Sequence, residues 1–224
     1  ARSADERTAA MVEINCETDF VAREQGFRAF AQAVADCALR AQPASLAALG
    51  ETRLPAGESI EERRRALVAK IGENISVRRF TVLASPEHLG AYVHGTRIGA
   101  LVAMRGGAAS LAYDLAMHVA ASNPRYLTQA QVPADVMAKE REILTQQAQG
   151  EGKPPEIVAR MVEGRLRKAL GEITLAGQPF VKDLDVTIEK LLKGAKAEVV
   201  AFERFEVGAG IEKRQDGTDA TVRH

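Results

Sequence analysis

The sequence predicts an α+β fold: two related strand-helix-helix-strand subdomains, with an antiparallel helical hairpin inserted in the second. Three observations carry this reading. Short runs with a two-residue apolar period bracket longer runs with apolar residues three and four apart, so strands enclose helices in each half. The strand runs Ile75 to Leu83 and Val199 to Val207 each change phase once, and Arg79-Phe80-Thr81-Val82 aligns with Arg204-Phe205-Glu206-Val207, which suggests an internal duplication. The second half is interrupted by two helical patterns joined through Gly150-Glu151-Gly152-Lys153-Pro154. The implied units are residues 1–87, residues 88–126 with 177–210, the hairpin insert 127–176 and a polar tail, 211–224.

The elements follow in order. Val12, Ile14 and Cys16 alternate with Glu13, Asn15 and Glu17, the period of a half-buried strand with its polar side outward. Thr18 then suits a helix N-cap, which puts Asp19 and Phe20 in the first helical turn. Phe27, Phe30, Val34 and Cys37 form one apolar stripe of a helix to about Leu39, ended by Gln42-Pro43. The Ala-rich stretch 44–57, with Gly50, Pro55 and Gly57, reads as a loop with room for one short helix. Ser59-Ile60-Glu61-Glu62 fits a capping box; Ile60, Leu67, Val68 and Ile71 share a face, and Gly72 suits the stop.

The next strand slips at Arg78-Arg79, as it would at a bulge. Strands from Leu89 to Met104, broken near Gly95-Thr96-Arg97, lead into a helix from about Ala108 to Ser122 with Leu111, Leu115 and Val119 on one face, and Asn123-Pro124 ends it. Helices from Pro133 to about Gln149 and from Pro155 to about Leu170 carry narrow stripes: Val136, Ile143 and Leu144 on one, Val158, Val162 and Leu166 on the other. Such stripes pair two helices with each other but bury neither in a globular core, which makes a projecting arm; the plainer alternative is two helices lying flat on the surface. Asp185 can cap a short helix containing Ile188, Leu191 and Leu192 that stops at Gly194, and the last strand changes phase at Glu203-Arg204.

Bulk properties exclude several function classes. With 224 residues, 46% of them hydrophobic, and no Trp, the chain can bury one substantial core or two smaller ones. Thirty basic and thirty acidic residues cancel, so no global field draws it to nucleic acid or an anionic membrane. No apolar stretch spans a bilayer and Ala1 to Arg7 lacks the apolar segment of a signal peptide, so a cytoplasmic location is expected. Cys16 and Cys37 occupy core-like positions, and no disulfide is expected. Gly152-Lys153 is followed by Pro154 and has Gln147 where the first glycine of a phosphate-binding loop belongs. His88, His94, His118 and His224 show no metal-ligand spacing, so no metal and no cofactor is expected. Cys16 with His94 or His118 as base would be a nucleophile pair, but a buried small hydrophobe is the ordinary role for such a cysteine.

The run from Val12 to Arg23 stops a strand at a polar turn that holds an acid and a phenylalanine side by side. Taken singly, Phe20 reads as a core or staple residue, and Asp19 as a first-turn carboxylate worth about 0.3 to 1 kcal/mol to its helix. Ile71-Gly72 reads as a last core residue and a C-cap, and His94 as a polar turn residue beside Gly95. The run nevertheless closely resembles the Thr-Asp-Phe-Val signature of the elongation factor Ts family. The resemblance continues in order through Lys70-Ile71-Gly72-Glu73-Asn74, Met117-His118-Val119-Ala120-Ala121-Ser122 and Gly177-Gln178-Pro179-Phe180, and covers Met11 to Glu212.

The resemblance implies a guanine-nucleotide exchange factor that releases GDP from the translation GTPase EF-Tu without making or breaking bonds, and therefore not a conventional enzyme. In that family the signature docks on the GTPase domain and its aromatic wedges beside the magnesium and nucleotide site. The matching positions are Thr18, Asp19, Phe20 and Val21, with Asp19 and Phe20 foremost. The family's further contacts match Ile71, Gly72 and His94. Its two related α+β halves and inserted hairpin agree with the reading above, and the hairpin becomes a candidate secondary interface. The match is to the family's core and hairpin, without its usual N-terminal ubiquitin-associated-like domain. Residues 215–224 are polar and poor in helix signals where the family usually ends in a short helix. A reading from another class, an RNA-associated structural subunit on the same scaffold, is disfavoured by the balanced charge and by only seven Phe and three Tyr.

Overall fold

The computed structural model describes residues 1–211; the tail from 212 onward lies outside the described residues. Strand β1 (Thr8–Asn15) is followed by helices α1 (Asp19–Arg23), α2 (Gln25–Ala41), α3 (Leu46–Glu51) and α4 (Ile60–Ile71). Strands β2 (Ser76–Ala84), β3 (His88–His94) and β4 (Ile98–Arg105) lead into α5 (Ala109–Ser122) and the hairpin helices α6 (Ala134–Gln149) and α7 (Pro155–Ile173). The short strands β5 (Pro179–Phe180) and β6 (Asp183–Thr187), helix α8 (Ile188–Ala195) and strand β7 (Glu198–Glu206) complete the described chain. All strand pairs are antiparallel, in sheets ordered β1-β2, β3-β4-β7 and β5-β6, so the mixed α+β class holds.

Local chemistry sets most boundaries as expected. In α4 the Glu62 amide donates to Ser59 Oγ at 3.1 Å and the Ser59 amide to Glu62 Oε2 at 2.6 Å, while Gly72 closes the helix at φ 82°, where a side chain would be strained. Gln42 and Asn123 end α2 and α5 in the left-handed region. Helix α8 departs from expectation. Its cap is Thr187, whose Oγ1 accepts from the Lys190 amide, because Asp185 is still in extended β6; it runs past Gly194 to a left-handed Lys196.

Two apolar clusters lie on opposite sides of the sheets. Under α2, Phe27, Phe30, Val34 and Cys37 pack with Leu49, Ile60, Leu67 and Ile75. Under α5, Ala112, Leu115 and Val119 pack with Val102, Met104, Leu175, Ile188 and Val199. Helix α5 lies so close to β3 that a Cβ on Gly90 would meet the Ala112 carbonyl oxygen at 1.9 Å. A third layer, Ala9, Leu89, Leu101 and Ala103 with Met11 and Ala201, fills the space between the two larger sheets. In the hairpin, Leu144, Ala148, Val162, Leu166 and Leu170 pack mainly on one another. Ile143, which spacing placed in that stripe, is 40% exposed, since it cannot share a face with Leu144. At the hairpin root the Leu175 amide donates to Tyr126 O and the Ala176 amide to Leu127 O, tying both ends to the second cluster.

The third layer overturns one expectation. Strand β1 is covered on both faces, so Glu13, read as outward-facing, is only 2% exposed. Its carboxylate accepts from Arg78 Nη1 at 2.9 Å, Arg79 Nε at 2.5 Å and the Gly208 amide at 2.9 Å. The expected bulge is what permits this: Glu13 pairs with Arg79 and Ile14 with Val77, so Arg78 is the extra residue and two consecutive arginines reach one acid. The matching slip in β7 lies elsewhere. Glu203 and Arg204 pair regularly with Leu101 and Ala100, and the irregularity is at Val200, between Ala103 and Met104 on the neighbouring strand. The two bulges are not equivalent, because β7 too is covered on both faces and its polar residues do not report phase. Phe202 packs under α5, Arg204 donates to Ala120 O of α5, and Phe205 faces Arg79.

Burial alone would raise the Glu13 pKa, but the Gly208 amide and the two guanidinium groups reverse it and hold the carboxyl below its usual range. Its stabilisation is thus present above about pH 4.5 and is lost as pH falls through the depressed value. Glu13→Ala should destabilise the protein by about 3 kcal/mol, the low end for breaking a buried pair because both arginines keep some access to water. Chemical denaturation at pH 7 measures this; a loss under about 1 kcal/mol would show that the joint is ornamental.

Candidate partner-binding site

Thr18 leaves β1 in an extended conformation (φ −125°, ψ 154°), and its Oγ1 accepts from the Val21 amide at 3.4 Å, capping the five-residue helix α1. The Thr18 amide donates to Glu73 Oε2 at 3.0 Å and its hydroxyl to Glu73 Oε1 at 2.7 Å. In return the Asn74 amide donates to Glu17 Oε1 at 3.2 Å. The loop after β1 and the loop after α4 therefore clasp each other through two carboxylates. Glu24 ends α1 and caps α2, its Oε2 accepting from the Phe27 amide at 2.8 Å.

This frame sorts the four signature residues. Val21 is 6% exposed and anchors α1 in the first cluster, whereas the adjacent Phe20, about 100° around the helix, is 86% exposed. The core or staple reading of Phe20 fails. Asp19 is exposed, and its carboxylate has no hydrogen bond or ion pair among the described residues. Ile71 is half-buried against the first cluster and Gly72 is exposed. His94 ends β3 exposed to solvent, its Nδ1 3.1 Å from the Tyr92 hydroxyl, and Tyr92 meets Tyr113 edge-on at 5.8 Å.

A groove of about 390 Å³ separates these regions, with Val12, Ile14 and Phe27 in its lining, Ala22 of α1 at one side and Val93 and Arg97 of the β3–β4 turn at the other. Neither Phe20 nor His94 is among the residues that line this groove. Thr18 and Glu73 are joined directly; His94 stands apart on the other sheet. Sequence patterns did not mark Glu73 as functional, and its only signal was its place inside the Lys70 to Asn74 run.

The Cys16 thiol is not poised as a nucleophile. Burial, then the charges of Glu73 and Asp19, push the Cys16 thiol up, and it donates to Thr18 O at 3.3 Å rather than to a base. Both cysteines are free. No cluster of metal-ligating side chains occurs among the described residues, and no described helix is long and apolar enough to cross a membrane.

The other two motif runs meet in the interior. His118 is fully buried: Nδ1 accepts from the Val181 amide at 3.3 Å, so Nε2 carries the proton and donates to Gln178 Oε1 at 2.9 Å. Gln178 passes the link on, donating from Nε2 to Glu172 O at 2.7 Å and to Ser122 O at 3.3 Å. Burial lowers the His118 pKa, with the Gln178 contact opposing. The folded form thus resists a proton that the unfolded chain takes up near pH 6.5, so stability is full above that pH and declines as pH falls below it. His118→Ala should cost about 3 kcal/mol through a cavity and two orphaned partners. His118→Gln, which does not titrate, should flatten the dependence of melting temperature on pH between about 6.5 and 5; an unchanged slope would assign that dependence to other groups.

Comparison with known proteins places this arrangement. The family model for elongation factor TS matches residues 17–209. Elongation factor Ts of Legionella pneumophila (strain Lens) is 51% identical over 216 residues, covering 96% of this chain and 74% of that protein. Its counterpart from Thioalkalivibrio sulfidiphilus is 53% identical over 218 residues, with 96% and 74% covered. That of Alcanivorax borkumensis is 54% identical over 207 residues, with 92% and 73% covered. A match across most of the chain, at half identity and through both clasped motif pairs, shows that this chain belongs to the elongation factor Ts family.

Proposed function

We propose that this chain is a guanine-nucleotide exchange factor for the translation elongation GTPase EF-Tu, acting on its GDP-bound form by inserting Phe20 beside the magnesium and nucleotide site. The observation that carries the proposal is the near-complete exposure of Phe20, in the first turn of a helix otherwise anchored, beside an Asp19 that has no partner among the described residues. A ring so displayed is free for a partner as far as the described residues go, and membership of the elongation factor Ts family supplies that partner. Ile71, Gly72 and His94 are secondary contacts on this reading, while Val21 supports α1 from beneath. Cytoplasmic location, independence of cofactors and of direct nucleic-acid or membrane contact, and action without bond chemistry belong to the same proposal.

The energy is adequate. Burying about 150 to 250 Å² of aromatic surface at roughly 25 cal/mol per Å² yields on the order of 4 to 6 kcal/mol gross, part of which can open the nucleotide site. Linkage makes the effect reciprocal, so a factor that weakens GDP binding is itself weakened by GDP.

Phe20→Ala should slow catalysed release of fluorescent GDP from EF-Tu about 30-fold or more, roughly 2 kcal/mol, with little change in melting temperature because the ring is already in water. Asp19→Ala should act in the same direction but less. Near-normal exchange by Phe20→Ala would sink the wedge. The hairpin is expected to orient the complex: replacing residues 134–170 by a short linker, which spares the half-buried Leu127 and the buried Leu175 at its root, should give a cooperatively melting protein that still exchanges at a reduced rate. Complete loss of exchange in such a folded variant would move the displacement step to the hairpin.

A further inference from the structure

We propose that Glu73 is a positioning residue for exchange, gripping both polar donors of Thr18 and so presetting the helix that presents Phe20. The inference rests on the reading that α1 is the element that meets EF-Tu.

Helix α1 has five residues, too few to hold itself together, and Val21 is its only buried side chain. One apolar anchor leaves rotation about that anchor free. The missing restraint is supplied at the cap. Glu73 Oε1 and Oε2 take the Thr18 hydroxyl at 2.7 Å and the Thr18 amide at 3.0 Å, a forked, charge-assisted contact that fixes direction as well as distance. The hydroxyl oxygen in turn accepts from Val21, so the carboxylate acts on the helix through Thr18. Thr18 O receives the Ala22 amide and the Cys16 thiol, which leaves every polar group of Thr18 committed inside the chain. On this reading Thr18 serves as a pin for α1, whatever it also touches on the GTPase.

Glu73 is itself well placed to hold. It sits between the left-handed Gly72 that closes α4 and the fully buried Ile75, whose carbonyl accepts from Arg64 Nη1 at 2.7 Å. Arg64 is fixed by a two-point ion pair with Glu61, whose carboxyl that arginine, with Arg65, holds at a pKa of about 2. A rigid α4 thus ends in a carboxylate that has no other hydrogen-bond partner among the described residues than Thr18. Without it, α1 would have to be ordered during docking, and that entropy would be drawn from the binding energy of Phe20.

The test is a double-mutant cycle read in the initial rate of GDP release against EF-Tu·GDP concentration. Glu73→Ala should lower kcat/KM about tenfold or more, and Glu73→Gln, which keeps one acceptor oxygen and the side-chain shape, should fall between it and the parent. The melting temperature should change by no more than about 3 °C, since the clasp lies outside the apolar clusters. In a Phe20→Ala background the same Glu73 substitutions should cost less than about twofold, because there is no longer a ring to present. A merely structural role predicts equal losses in both backgrounds together with a lowered melting temperature, and either that pattern or an unchanged rate in Glu73→Ala would overturn the assignment. If Glu73→Ala fails to fold, Glu73→Gln is put through the same cycle, and equal losses in both backgrounds overturn the assignment there too. A Phe20→Ala protein that exchanges normally would instead remove the premise that α1 meets the GTPase; slow Phe20→Ala with normal Glu73→Ala removes only the positioning role.

Discussion

The carboxylate of Glu13, buried between two sheets, is the constraint on which the remaining geometry depends. An ionised acid in that position is tolerable only if its oxygens are filled, and here two guanidinium groups and a backbone amide fill them. Each arginine also reaches past Glu13. Arg78 continues to Ala209 O, and Arg79 to Glu206 O at 3.1 Å with its guanidinium 4.3 Å from the centre of the Phe205 ring. The end of β7 is thereby fastened to β1 near its C-terminal end, and the two sheets cannot slide without breaking charge-assisted bonds. Two residues beyond Glu13 the strand ends, and the turn bearing Asp19 and Phe20 begins. The site inherits its position from this joint.

The motif runs divide into two physical classes. One pair, around Thr18 and Glu73, clasps at the surface and leaves Phe20 and Asp19 free. The other pair, around His118 and Gln178, is closed in the interior, where the imidazole also lies 6.1 Å from the ring of Phe180. His118 and Gln178 join the end of α5, the end of α7 and the turn between β5 and β6, so they secure the root from which the hairpin extends. A shared family signature is thus no guide by itself to contact with a partner. Burial and spare hydrogen-bonding capacity tell which residues face outward and which hold the scaffold.

How far the sequence was legible follows from the same distinction. Caps and stops depend on a few neighbouring residues, and Ser59 with Glu62, Gly72, Gln42 and Asn123 behave as their chemistry dictates. The bulge at Arg78 was readable because β2 turns a mainly apolar face to the first cluster. Glu13 was misread because alternation assumes one wet face, whereas β1 is covered on both, the side bearing Ala9 and Met11 by Leu89, Leu101 and Ala103 of the neighbouring sheet. The same double cover moved the irregularity in β7 from Glu203-Arg204 to Val200. Phe20 alone resembles any core phenylalanine, and only the family resemblance favoured exposure. Glu73 has no one-dimensional signature, since its role arises where two loops 55 residues apart in sequence meet.

On the proposed reading, the sparseness of the site suits a factor that must let go. Couplings between ligands typically amount to about 1 to 3 kcal/mol, which is less than the gross burial energy of a single aromatic ring. A single preset ring can therefore carry the whole antagonism with GDP while the rest of the interface stays modest. Rigidity matters more than area for such a device: a loosely held Phe20 would lose its burial energy to the ordering of α1, whereas a clasped one delivers it to the nucleotide site. The chain meets that demand with few parts, a threonine cap, one carboxylate fork and a buried valine. Their rigidity comes from α4 and, through β1, from the joint at Glu13.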